Sequence, residues 1–160
     1  MGCFMFEVSN DIRNVGNLSE DDLYDHLGEL STDYVQDCSE EDSLRDIFNL
    51  MIRLRDNGAE TSEENGVPYV IFSQESKRKW FSKKFAQFTV LANRLNLDIF
   101  SGAAENTWSI LAELNCNMVD KYGDHIYSSD DFTFGSLDDF VRYAEVDIKY
   151  YFGPNVVFIR

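Results

Sequence analysis

The residues best equipped for chemistry fall in one stretch. Asp120, Asp124, His125, Asp130 and Asp131 lie within twelve residues, interleaved with Tyr122 and Tyr127. Carboxylates beside one imidazole suit Mg²⁺, Mn²⁺ or Ca²⁺. That makes Asp120, Asp124 and His125 candidate metal ligands, and a small metal-dependent hydrolase one reading of the chain. The spacing departs from an EF-hand loop. Counted from Asp120, position 3 is Tyr122, and position 6 is His125 where the sharp turn needs Gly. Cys116 with His125 has the residue types of a nucleophile and its base. Nothing in their spacing sets that pair up, and a buried cysteine usually behaves as a small hydrophobe. His26, between Asp25 and Leu27, reads as a helix-surface histidine. No Gly-rich phosphate loop, G-x-S-x-G, C-x-x-C or H-E-x-x-H occurs. The 120–131 stretch is therefore expected to be a polar surface loop, and the chain a non-enzyme without a cofactor.

Charge gives a second constellation. The 160 residues carry 29 Asp or Glu against 14 Lys or Arg, a formal net charge of −15. Residues 1–66 hold 17 acids and 4 bases (net −13), residues 67–101 hold 2 and 6 (net +4), and residues 102–160 hold 10 and 4 (net −6). Asp22, Asp25, Glu29 and Asp33 recur at helical spacing, so on a helix they form one carboxylate stripe with neighbours about 5–6 Å apart. That is on the order of the spacing of successive phosphates on a nucleic-acid strand. Like charges so placed cost a few tenths of a kcal/mol per pair, and no Lys interrupts Ser19 to Cys38. Asp21, Asp22, Asp25, Glu29, Asp33, Asp37, Glu40, Glu41 and Asp42 are the candidate partner-binding residues. The opposing feature is Lys77-Arg78-Lys79-Trp80-Phe81-Ser82-Lys83-Lys84. Cations mixed with aromatics can bind single-stranded nucleic acid. Here Phe81, Phe85 and Phe88 have core spacing, so this segment is expected to pack near the chain's own acidic helices.

The elements that must position these residues follow from periodicity. Residues 3–8 read as a strand and residues 11–17 as turn-rich. Ser19 caps a helix with Leu23, Leu27, Leu30 and Tyr34 on one face. Ser39 starts a second, with Glu40, Glu41 and Asp42 in its first turn and Leu44, Ile47, Phe48, Met51 and Ile52 as its buried stripe. Asn57-Gly58 ends it. Residues 57–68 read as a polar loop and possible subdomain boundary, and Tyr69 to Phe72 as a strand. Ser76 to Leu95 reads as a helix with Phe81, Phe85, Phe88, Ala92 and Leu95 inward. Leu97 to Phe100 reads as a strand, and Ala104 to Met118 as a helix with Trp108, Leu111, Asn115 and Met118 on one face. Ser136 and Asp139 resemble a capping box for a helix through Tyr143. Val146 to Ile159 alternates around Gly153-Pro154-Asn155, the pattern of a C-terminal β-hairpin. The expected fold is a single α+β domain, residues 1–160, with about four helices on a small, mainly antiparallel sheet.

Composition bounds the function. At 44% apolar and 14% aromatic residues the chain is too apolar for intrinsic disorder. A pI near 4.3 argues against nucleic acid as a direct ligand. No apolar run approaches the about 18 residues of a membrane span. Cys3, Cys38 and Cys116 are odd in number and widely spaced, and no signal peptide pattern is evident, so a reducing cytoplasm is expected. These features imply an acidic inhibitor of a basic, nucleic-acid-handling protein. In size and composition the chain is similar to the small acidic inhibitors that phages and mobile elements direct against restriction or CRISPR machinery. The similarity is one of type and aligns no motif. An immunity protein or antitoxin against a basic nuclease rests on the same physics.

Overall fold

A computed structural model describes residues 2–16, 34–37, 39–118 and 123–159. Within them the order is β1 (Gly2–Ser9), a 3₁₀ turn (Ile12–Asn14), β2 (Tyr34–Asp37), α1 (Glu40–Asp56), β3 (Glu60–Glu64), β4 (Val67–Ile71), α2 (Gln74–Ala92), α3 (Leu97–Ser101), α4 (Ala104–Met118), β5 (His125–Ser128), β6 (Thr133–Ser136), α5 (Leu137–Tyr143) and β7 (Lys149–Ile159). The fold is α+β, as the residue pattern implies.

Seven strands form one mixed sheet in the order β3-β4-β7-β1-β5-β6, with β2 also on β7. Only the β1–β5 pairing is parallel among the described strands. Alternation sends Phe6 and Val8 of β1 to one face. There they meet Val70, Phe72, Ile126 and Phe152 under Ile47, Leu50, Met51 and Leu54 of α1 and Leu137 and Val141 of α5. The other face is mixed at its centre: Glu7, Ser9 and His125 are buried there beside Met5 and Tyr127.

Four expectations are corrected. The apolar periodicity places Tyr34 on a helix, but Tyr34–Asp37 is a strand, β2, paired with β7; the rest of that segment lies outside the described residues. The 57–68 loop is a hairpin, β3–β4. Asn65 and Gly66 both have positive φ, as a two-residue type I′ turn requires. The polar Glu60–Glu64 strand hid because it lies at the sheet edge, where no face need be apolar. Leu97–Ser101 is a short helix, started by the Asn96 side chain accepting the Ile99 N–H at 2.9 Å.

The fourth correction concerns the C-terminal stretch. A C-terminal hairpin does exist, built by β5 and β6. Residues 149–159, however, run as a single strand through Gly153-Pro154-Asn155. Phe6 pairs with Asn155 and Val8 with Phe152, so Gly153 and Pro154 oppose Glu7 alone in a β-bulge. A Cβ at Gly153 would stand 3.1 Å from the Glu7 carboxyl carbon and 3.2 Å from the Gly16 nitrogen. Pro154 falls between the stretch of β7 paired to β4 and the stretch paired to β2, so its missing N–H breaks no ladder bond on that edge.

Candidate functional site

The acidic candidates are only partly described. Asp21, Asp22, Asp25, Glu29 and Asp33 lie outside the described residues. Asp37 ends β2, its backbone opposite Val156. Ser39 follows and caps α1: its Oγ accepts the Asp42 N–H at 3.2 Å and donates to the Asp42 carboxylate at 2.8 Å. Asp42 also pairs with Arg45 at 2.9 Å, and Arg45 reaches the buried Asp46 at 3.7 Å. Glu40 and Glu41 are exposed and meet no cation among the described residues. The corner from β2 to α1 therefore presents two exposed carboxylates in the first turn of a helix, with no cation beside them among the described residues.

Behind that end α1 is rotated from its expected setting. Ile47 and Met51 are buried as predicted, but Leu50 and Leu54 are the other apolar anchors. Leu44 and Phe48 are 61% and 64% exposed.

The 120–131 stretch uses its carboxylates to hold the fold together. Asp124 makes an ion pair with Arg53 of α1 at 2.6 Å. Asp130 accepts the Ser9 hydroxyl at 2.5 Å and the Asn10 N–H at 2.8 Å, fastening the end of β1 to the β5–β6 loop. Asp131 accepts the Thr133 hydroxyl at 2.7 Å, and that bond holds its carboxyl below the ordinary value. His125 is buried on β5, its Nδ1 2.8 Å from the Gly123 carbonyl. Asp120 lies outside the described residues. Among the described residues no three His, Cys, Asp or Glu side chains converge where they could hold a metal ion. Cys116 sits exposed on α4, while His125 is enclosed in the sheet.

The basic helix α2 packs on α5. The Lys77 ammonium donates to the carbonyls of Arg142 and Ala144, capping the end of α5, and burial lowers its pKa. Asp138 takes both the Trp80 indole N–H at 2.8 Å and the Lys84 ammonium. Arg142 stacks on Phe81 at 4.7 Å. Arg78 and Lys79 make no ion pair among the described residues.

One network escaped the sequence reading. On the sheet face away from α1 and α5, Glu64 accepts the Tyr151 hydroxyl at 2.6 Å and the Lys149 ammonium at 3.1 Å. These bonds hold the Glu64 carboxyl below 4.5 and push the Tyr151 hydroxyl and the Lys149 ammonium up. Its only sequence signal was Asn65-Gly66, which sets the register bringing Glu64 to β7.

No family model, curated protein or solved structure matches this chain. Among the described residues, no helix is long and apolar enough to cross a membrane.

Proposed function

We propose that this chain is a non-enzymatic acidic inhibitor that occupies the nucleic-acid-binding surface of a basic partner protein. The observation that carries the reading is the segregation of charge, net −13 over residues 1–66. It culminates in exposed Glu40 and Glu41 at the start of α1. Carboxylates clustered without a facing cation repel one another, and a basic partner that supplies the positive charge relieves that repulsion. A phage or mobile-element inhibitor of a defence nuclease has this requirement. In that role the field of the acidic segment steers a fast encounter, and salt weakens the complex mainly through its on-rate.

The test is charge reversal. Wild-type protein captures its partner from a host lysate, and mass spectrometry identifies it. A variant with Asp22, Asp25, Glu29, Asp33, Glu40 and Glu41 changed to Lys should keep its circular dichroism spectrum and lose inhibition of that partner's nucleic-acid binding. Full inhibition by the folded variant would refute the proposal.

A further inference from the structure

The helical layer leaves an open cleft of about 1030 Å³ along the first half of α2. Phe81 and Phe85 form its apolar floor, and Arg78, Lys79 and Arg142 stand on its walls with one carboxylate, Glu75. A smaller cavity of about 180 Å³ continues from Phe81 and Phe85 to Phe88 and Met118. Phe85 is 66% exposed, although its spacing with Phe81 and Phe88 is that of a core residue. Arg78 and Lys79 are likewise exposed. Phe81 is half-buried with Arg142 on its ring, so the open ring is Phe85. A cleft that joins it to cations with no ion pair among the described residues is complementary to a helix that carries carboxylates beside apolar side chains.

The chain itself carries such a helix. Glu40, Leu44 and Phe48 recur every fourth residue and so form one row along α1, with Glu41 beside it. All four are exposed. They repeat the order of features in the cleft with the charge reversed: two carboxylates, rather than two cations, lead into two apolar side chains. A single apolar pair on a helix surface is ordinary. Here two apolar features of one chain, each left open by its own fold, bear opposite charge.

We propose that the α2 cleft receives the outer row of α1 from a second copy of this chain. Glu40 and Glu41 of one copy then face Arg78 and Lys79 of the other, and Leu44 and Phe48 lie on Phe81 and Phe85. When the exchange is reciprocal, a two-fold axis closes the assembly as a dimer. The inference does not depend on any basic partner. Because it uses Glu40 and Glu41, self-association withdraws those carboxylates from other ligands.

The oligomeric state tests it. Sedimentation equilibrium on the wild-type chain should give a mass rising to that of a dimer as concentration increases; a monomer up to roughly 500 µM would overturn the proposal. A Glu40→Lys/Glu41→Lys variant and an Arg78→Glu/Lys79→Glu variant should each associate at least about tenfold more weakly than wild type. An equimolar mixture of the two should recover wild-type association, because every facing pair is again of opposite sign. Either variant associating as tightly as wild type, or no recovery on mixing, would place the interface elsewhere. Phe48→Ala, which leaves charge untouched, should weaken association with an unchanged melting temperature in dilute protein.

Discussion

Phe6, Val70, Phe72 and Phe152 are sealed between the sheet and the helices α1 and α5, each no more than 1–2% exposed. In α2, α3 and α4, by contrast, Phe85, Phe100 and Trp108 are all about two-thirds open to solvent. Ser76, Thr107 and Ile110 are the buried residues of those three helices. The two regions have similar apolar content and differ in layering. The sheet has helices against it, so an aromatic ring there is enclosed from both sides. The pair α2 and α4 pack on each other, and the α4 row Trp108, Leu111 and Met118 is half or more exposed, with no further layer over it among the described residues. An apolar stripe broader than one neighbour can cover leaves part of itself outside, free for association rather than folding.

The largest expected effect probes the sealed side. Phe152→Ala should destabilise the chain by about 3–5 kcal/mol in urea unfolding. Trp108→Ala should stay within about 0.5 kcal/mol. Equal losses would erase the distinction between the regions. The next variant probes the seam between them. Asp138 ties α5 to Trp80 and Lys84 of α2, so Asp138→Ala should cost about 2 kcal/mol and leave a partly buried cation unmatched. If the helical pair is an independent unit, this variant should also give two unfolding transitions where wild type gives one.

The smallest effect concerns pH. The folded pKa of Glu64 lies below its ordinary 4.5, chiefly through the Tyr151 hydroxyl and then Lys149. The ionised group therefore adds stability that is complete above the unfolded value and fades as pH falls through the folded one. Glu64→Gln should lower the melting temperature near pH 7, and by less at an acidic pH below 4.5. A loss of the same size at both would mean that the contribution is packing.

The contrast also explains what could be read from the residues beforehand. Local signals held. Ser39 with Glu40, Glu41 and Asp42 starts α1, and Ser136 caps α5 by accepting the Asp139 N–H at 3.1 Å. Choices that depend on distant neighbours did not. In α1 two apolar rows compete, one through Leu44 and Phe48 and one through Leu50 and Leu54. Only the position of the sheet decides which is buried. Periodicity likewise put Phe85 inward, since it records which residues share a face and cannot say whether anything covers that face. Gly153-Pro154 reads as a turn until β1 lies alongside to make it a bulge. At the site, exposure of Glu40 and Glu41 was legible from helix-end position. The partners of Asp124 and Asp130 were not, because Arg53 and Ser9 come from strands and helices far away in sequence.

The pairing of β1 with β7 has a consequence for the order of assembly. Cys3 stands opposite Phe158, so the centre of the sheet joins segments from opposite ends of the described chain. Closing so long a loop precedes any gain from the contacts it makes, which slows folding. Until residues 149–159 emerge from the ribosome, β4 lacks its inner neighbour and β1 has an unpaired edge. During synthesis the chain thus depends on whatever keeps those edges from pairing with other chains. The last of the described strands is the one that joins β1, β2 and β4 into a single sheet.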